Sequence, residues 1–299
     1  MDNRTKGILA TIFSAAFFGL LPLFVKTVIA GGANTYSMAF LRFFASVPFF
    51  NIWFKIKKVD LKITWIQIRD VVLLTVFGYS GTAVLLFSSY NYIPSGMSTT
   101  IHFLYPVVTI IACVIFLKEK VVWQKVLCVV LCVIGILLFY NGDGNTNVIG
   151  IILAACSSVT YTFYTVYLGR SSVKDMDSLK LIFYLNIAGS VMLGIICLAT
   201  GSFTFHLTPL AWGVAIFSAF FTSLIGVLGY QIGLKYIGPQ STTILSTFEP
   251  ITSVLIGIFV YSEPFTLKTV LGCISILSAT IIIALLKEKD SDGDKSEET

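Results

Sequence analysis

Thr242, Ser246, Glu249 and Ser253 fall at spacings of 4, 3 and 4 inside an otherwise apolar stretch. On a helix they share one face. A carboxyl on such a face can take up a proton, hold a cationic group or pair with a fixed base. An ionised carboxylate at bilayer depth costs about 2.5–3.5 kcal/mol on insertion scales, so the face is expected to line a water-filled cavity or meet a partner helix. Positions 144 earlier carry Ser98, His102, Tyr105 and Thr109, again one face of one helix. His102 is the only histidine inside an apolar run. It can carry protons beside Glu249, or serve as a hydrogen-bonded packing residue.

Each stripe contains a proline, Pro106 and Pro250, also 144 positions apart. A proline inside a helix disturbs the carbonyl four residues earlier, here that of His102 or Ser246. Freed backbone at membrane depth is tolerated where it lines a cavity. A simple kink satisfied by neighbouring hydroxyls is the alternative. Arg42 can hold a carboxylate or anchor a helix end. Tyr79, Tyr90, Tyr161, Tyr164 and Tyr230 supply aromatic walls or ordinary packing. Asn186 and Gln231 either contact a ligand or bond between helices. The expected substrate-binding set is Glu249, His102, Tyr105, Ser98, Thr242, Ser246, Arg42, Tyr79, Tyr161, Tyr164 and Tyr230. Glu249 and His102 are the candidates for proton coupling.

The elements that carry these residues are membrane helices. Of 299 residues, 56% are hydrophobic and 12% charged, with a mean hydropathy of +0.90. A soluble domain carries about twice that share of charge. Ten apolar runs are near the length needed to cross a bilayer: roughly 7–25, 35–54, 70–91, 95–117, 122–140, 148–168, 179–200, 209–234, 240–261 and 267–286. The first is expected to be retained as a span rather than cleaved as a signal peptide. Within these runs Glu249 is the only acid placed deep.

With ten spans, seventeen of the twenty basic residues fall on one side of the membrane, Lys26 and Lys268 fall on the other, and Arg42 lies within a span. Basic excess marks the cytoplasmic face, which puts both termini in the cytoplasm and the protein in the cytoplasmic membrane. The same regularity argues against a nucleic-acid role for the basic patches. The expected partners are the lipid bilayer, a small-molecule substrate and protons, with the chain a monomer or a homodimer. No cofactor is expected. The six cysteines lie inside the apolar runs and no histidine–cysteine cluster suggests a metal. No phosphate loop, H-E-x-x-H or G-x-S-x-G pattern is present, so neither ATP hydrolysis nor another enzymatic activity is expected.

The segments Ser98–Pro106 and Ser241–Pro250 repeat one another, as do Glu119 and Glu263 at the same offset. Residues 1–140 form one five-helix unit. Residues 141–147, with the turn-forming Asn141-Gly142-Asp143-Gly144-Asn145, link it to a second unit at 148–286. Residues 287–299 read as a charged, disordered cytoplasmic tail. Two copies of an odd number of spans lie in the membrane with opposite orientation, an arrangement typical of secondary transporters.

Phe103-Leu104-Tyr105-Pro106-Val107 with Leu117-Lys118-Glu119-Lys120, and Glu249-Pro250 with Ser262-Glu263-Pro264, resemble the EamA-type proteins of the drug/metabolite transporter superfamily. Lys26 followed by Arg42, and Gly135 and Gly272, are similar to that family's pattern. Cys128 stands where the pattern has a glycine opposite Gly272. The resemblance covers nearly the whole chain. It implies a ten-helix all-α basket with a central cavity and export of small metabolites, often amino acids, by alternating access. The expected function is export of a small polar metabolite, an amino acid or related zwitterion, with proton coupling as a further expectation. The alternative is a polyspecific exporter of cationic or lipophilic compounds.

Overall fold

A computed structural model describes residues 3–105, 107–109, 111–112, 123–139, 147–246, 248–263 and 266–296. Among these every regular element is helical: α1 (Asn3–Gly19), α2 (Leu21–Ala30), α3 (Thr35–Lys57), α4 (Trp65–Leu74), α5 (Ser80–Ser89), α6 (Ser95–His102), α7 (Trp123–Phe139), α8 (Val148–Leu168), α9 (Ser178–Ala199), α10 (Pro209–Phe220), α11 (Val227–Leu245), α12 (Phe248–Tyr261) and α13 (Leu267–Ser296). Wider π turns join α4 to α5 at Thr75–Tyr79 and α10 to α11 at Phe221–Gly226. Each half of the chain thus carries one such turn at a similar place.

Five stretches among the described residues are long and apolar enough to cross a membrane: Asn3–Ala30, Thr35–Lys57, Trp65–Ser89, Val148–Leu168 and Ser178–Ala199. Val126–Gly135, Pro209–Phe220, Phe248–Tyr261 and Leu267–Ala279 are shorter apolar helices within the expected fifth, eighth, ninth and tenth runs. Polar residues set the helix starts. Asn34 accepts from Ser37 N–H at 2.8 Å to open α3. Thr64 and Gln67 form a reciprocal cap on α4, Asn147 caps α8 and Asp177 caps α9. Pro209 follows the Thr208 cap at the start of α10, where its missing N–H costs nothing.

Three sequence boundaries move. The third run starts at Trp65 rather than at 70, because the Thr64 cap fixes the helix earlier. Asp70 thus lies in the second turn of α4, 2% exposed, at one end of the bundle and not deep in a span as Glu249 is. The last helix does not stop at 286 but continues as helical backbone to Ser296. The tail expected to be disordered contains no proline that would stop it. Helical backbone also continues from α10 through α11 to Leu245, without the break expected near 234–240. The chain nevertheless reverses there. Thr242 Oγ1 lies 3.1 Å from where a Cβ on Gly233 would stand, whereas nine residues of straight helix span about 13 Å. Pro106, Cys113, Lys118, Glu119 and the turn at 141–145 lie outside the described residues.

The two halves pack into each other. α1 lies on α11, α5 on α8, α3 on α9, α6 on α12, and α7 on α13. Glycines let the backbones approach. A Cβ on Gly7 would sit 2.9 Å from Ile237 Cγ2, and one on Gly150 would sit 2.8 Å from Ile93 Cγ2. Ile93 and Ile237 are 144 apart and the glycines 143, so the same contact is made twice with the halves exchanged. On α7, a Cβ on Gly135 would meet the Gly272 carbonyl at 3.0 Å. The close contact at Gly272 is thus made by Gly135, not at the Cys128 position.

Side-chain contacts sort the helix ends into two groups. Lys180 Nζ donates to the Lys62 carbonyl at 2.9 Å, and Asp70 accepts from Ser172 N–H at 2.8 Å, at one end of the bundle. Asn34 reaches Thr204 Oγ1 at 3.1 Å, and Glu263 reaches Ser95, at the other. The main core lies between α2, α3, α5 and α9, around Val25, Val28, Met38, Phe43, Phe87 and Leu193. Outward-facing side chains are large and apolar, such as Phe259 at 81% exposure and Leu198 at 73%. An apolar outer surface suits a lipid surround.

Candidate functional site

Glu249 is placed by a break in the helix. α11 ends at Leu245, and α12 restarts at Phe248. Pro250 therefore stands in the first turn of α12, where a proline is well accommodated, and not in mid-helix as the sequence suggests. The Ser246 carbonyl is not left free either: it accepts from Glu249 N–H at 2.9 Å. Its hydroxyl donates to the Thr242 carbonyl at 2.8 Å. The break turns the Glu249 side chain into a cavity of about 410 Å³. No hydrogen bond or ion pair engages that carboxylate among the described residues.

The repeat partner of this break is the end of α6. Phe103 follows His102 out of the helix, and Tyr105 and His102 both line the same cavity. His102 Nδ1 lies 2.9 Å from Ser157 Oγ on α8. Ser157 has a single hydroxyl hydrogen and donates it to the Ala154 carbonyl at 2.6 Å. The network therefore assigns the ring hydrogen to Nδ1, leaving Nε2 as an acceptor. The Tyr105 carbonyl accepts from Thr109 at 2.7 Å and Thr162 at 3.1 Å, so the loosened backbone is satisfied by hydroxyls.

Arg42, from the first third of α3, is 7% exposed and also lines the cavity. Its guanidinium carbon lies 5.6 Å from the Phe43 ring centre and 5.5 Å from that of Phe87. Nε has no hydrogen-bond partner, and no carboxylate pairs with the guanidinium among the described residues. Among the described residues the cavity thus holds an acid and a base that share no hydrogen bond or ion pair. Tyrosines build the wall between elements. Tyr105 and Tyr161 meet edge to face with centres 4.6 Å apart. Tyr164 continues the row, 5.8 Å from Tyr161 and 6.1 Å from Tyr79. Tyr230 completes the lining from α11.

The structure brings nine of the eleven expected residues to one cavity: Glu249, His102, Tyr105, Ser246, Arg42, Tyr79, Tyr161, Tyr164 and Tyr230. Ser98 and Thr242 are fully buried but do not line it. They sit a turn before the helix breaks, where the stripe faces neighbouring helices. Ser253, at the far end of the second stripe, also bonds between helices, donating to Thr99 Oγ1 at 2.9 Å. Tyr90 is buried, with its hydroxyl 3.4 Å from Thr99 Oγ1. Asn186 is buried with an unpartnered amide, away from the cavity lining.

Sequence reasoning missed Ser14, Phe18, Thr82 and Phe87, which line the cavity as well. Ser14 carried a signal, being 143 positions before Ser157. The hydroxyl of Ser14 donates to the Gly226 carbonyl, whereas that of Ser157 donates to the Ala154 carbonyl and accepts from His102. Thr82 shares a 2.7 Å hydrogen bond with Thr160 and left no such mark.

The EamA-like transporter family matches residues 5–141 and again residues 148–285. The uncharacterized transporter YyaM of Bacillus subtilis is 28% identical over 229 residues, 72% of this chain and 74% of that protein. The S-adenosylmethionine uptake transporter of Rickettsia prowazekii is 23% identical over 208 residues, 68% of this chain and 67% of that protein. A solved crystal structure superposes with a TM-score of 0.67 at 15% identity, covering 94% of this chain and 98% of the other. That last likeness concerns the fold alone.

Proposed function

Since the chain belongs to the EamA-like transporter family, as two matched copies over nearly its whole length, we propose that its cavity carries a small zwitterionic metabolite, an amino acid or a compound bearing an amino-acid group. The protein is a multi-pass membrane transporter and not an enzyme. The observation that carries the substrate reading is the pair Glu249 and Arg42, an acid and a base that line one cavity and form no hydrogen bond or ion pair through their charged groups among the described residues. In this reading Glu249 receives the ammonium group and Arg42 receives the carboxylate as a planar fork. The tyrosine row covers the remainder. A volume of about 410 Å³ suits a metabolite of that size. The name of the Rickettsia relative is consistent with it, since S-adenosylmethionine bears an amino-acid group.

The transport cycle in this proposal is alternating access between two exchanged five-helix halves, ten spans in all, in the cytoplasmic membrane with both termini cytoplasmic. Glu249, with His102 Nε2 in the same cavity, gives the substrate a proton to exchange against. The repeated glycine contacts support two arrangements of similar energy. A second reading, export of lipophilic cations, is favoured by the tyrosine row beside Glu249.

A thermal-shift screen of the purified protein tests the choice, since a ligand that prefers the folded state raises its melting point. Zwitterionic amino acids should stabilise it more than their amides or their decarboxylated amines. Stabilisation by organic cations alone would replace the first reading with the second.

A further inference from the structure

Beyond the cavity, a polar contact joins three segments at one end of the bundle. Lys26 on α2 forms an ion pair with Glu263, which follows α12. The same carboxylate oxygen accepts from Ser95 N–H at 2.9 Å and Ser95 Oγ at 2.8 Å, at the first residue of α6. The Lys26 ammonium also lies 4.5 Å from the ring centre of Tyr261, whose hydroxyl donates to the Leu23 carbonyl at 3.2 Å. Both charged side chains are mostly buried, Lys26 at 23% exposure and Glu263 at 11%. The bend that delivers Glu263 is built for it. Ser262 takes a φ of +51°, Glu263 N–H bonds the Gly257 carbonyl at 2.9 Å, and any side chain at Gly257 would overlap the carboxylate.

The location matters more than the contact. α2, α6 and α12 are the helices that lead from this end to the cavity, through Leu21, His102 and Glu249. The cavity lining extends the other way, to Leu168 and Ser178 at the opposite end. The ion pair ties both halves of the chain together across the end where the cavity lining stops.

We infer that Lys26, Glu263 and Ser95 are the gate of this end, and that the structure holds it shut. The inference rests on the reading of the cavity as a transport path, but not on the substrate proposed for it. A gate differs from a brace in one respect: the protein must survive its opening. Glu263 suits the role because one carboxylate serves both the Lys26 cation and the Ser95 N–H at the start of α6. Withdrawing Glu263 therefore both breaks the ion pair and releases the N-terminus of the helix that carries His102.

The test reads access, with no substrate needed. Single cysteines are placed on the cavity wall by Leu21→Cys or Thr82→Cys, and a membrane-impermeant maleimide is added from the Lys26 side of sealed vesicles. Labelling is measured above that of protein with only its native cysteines. Slow labelling is expected with the ion pair intact. Lys26→Met and Glu263→Gln should each raise the rate at least fivefold, whereas Lys26→Arg, which keeps the cation beside an intact Glu263, should leave it slow. Unchanged labelling in both single variants, at both reporter positions, overturns the gate. So does loss of the folded state in either single variant, because a contact the fold cannot lose is a brace. The labelling rate is read without substrate, so a failed substrate reading and a failed gate give different results.

Discussion

His102 Nδ1 and Ser157 Oγ, 2.9 Å apart, join the end of α6 in the first half to α8 in the second. The bond fixes the ring so that its remaining nitrogen is an acceptor beside the cavity. Ser157→Ala removes the oxygen and leaves a buried N–H unpaired, which costs about 1–3 kcal/mol. The melting point in detergent should fall accordingly. Transport should fall further than stability alone explains, because the ring is no longer held in one tautomer. Ser157→Thr keeps the hydroxyl and should retain more of both. Equal behaviour of Ala and Thr at this position would remove the bond from the account.

Glu249→Gln keeps the shape of the side chain and deletes its charge and its proton. In the proposed cycle this abolishes the ammonium contact and the proton exchange together. Uptake into proteoliposomes should drop at least tenfold, the loss expected for about 1.4 kcal/mol of binding alone. The melting point should not fall, since the carboxylate makes no hydrogen bond among the described residues. A variant with full transport would exclude Glu249 from the mechanism. A rate indifferent to a pH gradient in the unaltered protein would exclude proton exchange while leaving the binding role intact.

Much of this was legible in the sequence for a physical reason. A bilayer punishes polar side chains that face lipid, so their spacing reports which helix face is sheltered. That is why Glu249, Ser246, His102 and Tyr105 were found by spacing, and why the 144-residue offset between the two stripes pointed to one shared cavity. Ser98 and Thr242 have the same spacing but serve packing, because a face sheltered by a helix and a face sheltered by a cavity look alike in sequence. Asp70 opens the third apolar run, but its bonds from Tyr167 and Ser172 join residues 97 and 102 positions apart, which no local pattern marks. The Lys26–Glu263 pair joins residues 237 positions apart, and no local pattern marks such a contact.

The exchanged glycine contacts make a prediction about stability alone. Gly7→Ala and Gly150→Ala each press a methyl into an isoleucine from the other half, at 2.9 Å and 2.8 Å. Overpacking of this kind costs about 1–3 kcal/mol. Gly213→Ala is the control, since nothing lies within 4 Å of a Cβ there. At that exposed helical position alanine should stabilise by about 1 kcal/mol or less. Melting curves should place the first two variants together, well below the third. If Gly7→Ala and Gly150→Ala differ widely, the two contacts are not equivalent and the halves are not packed by one repeated rule.

Arg42 and Glu249 should separate the two ends of a zwitterion. Arg42→Gln removes a charge-assisted contact to the carboxylate, a loss of about 1.5–3 kcal/mol, or roughly ten- to hundredfold in affinity. Arg42→Lys keeps the charge but gives up the planar fork set between Phe43 and Phe87, and should recover only part of it. An amino acid should feel both substitutions strongly. Its amide or ester, with no carboxylate to lose, should bind the Arg42→Gln variant nearly as it binds the unaltered protein. The same analogue should still lose binding to Glu249→Gln, because its ammonium group is intact. Binding isotherms for the two analogues against the two variants give four values. Only the pattern in which each variant responds to its own end of the ligand fits the proposed orientation. A uniform loss across all four would make Arg42 a structural anchor of α3 and leave Glu249 as the one charged contact to substrate.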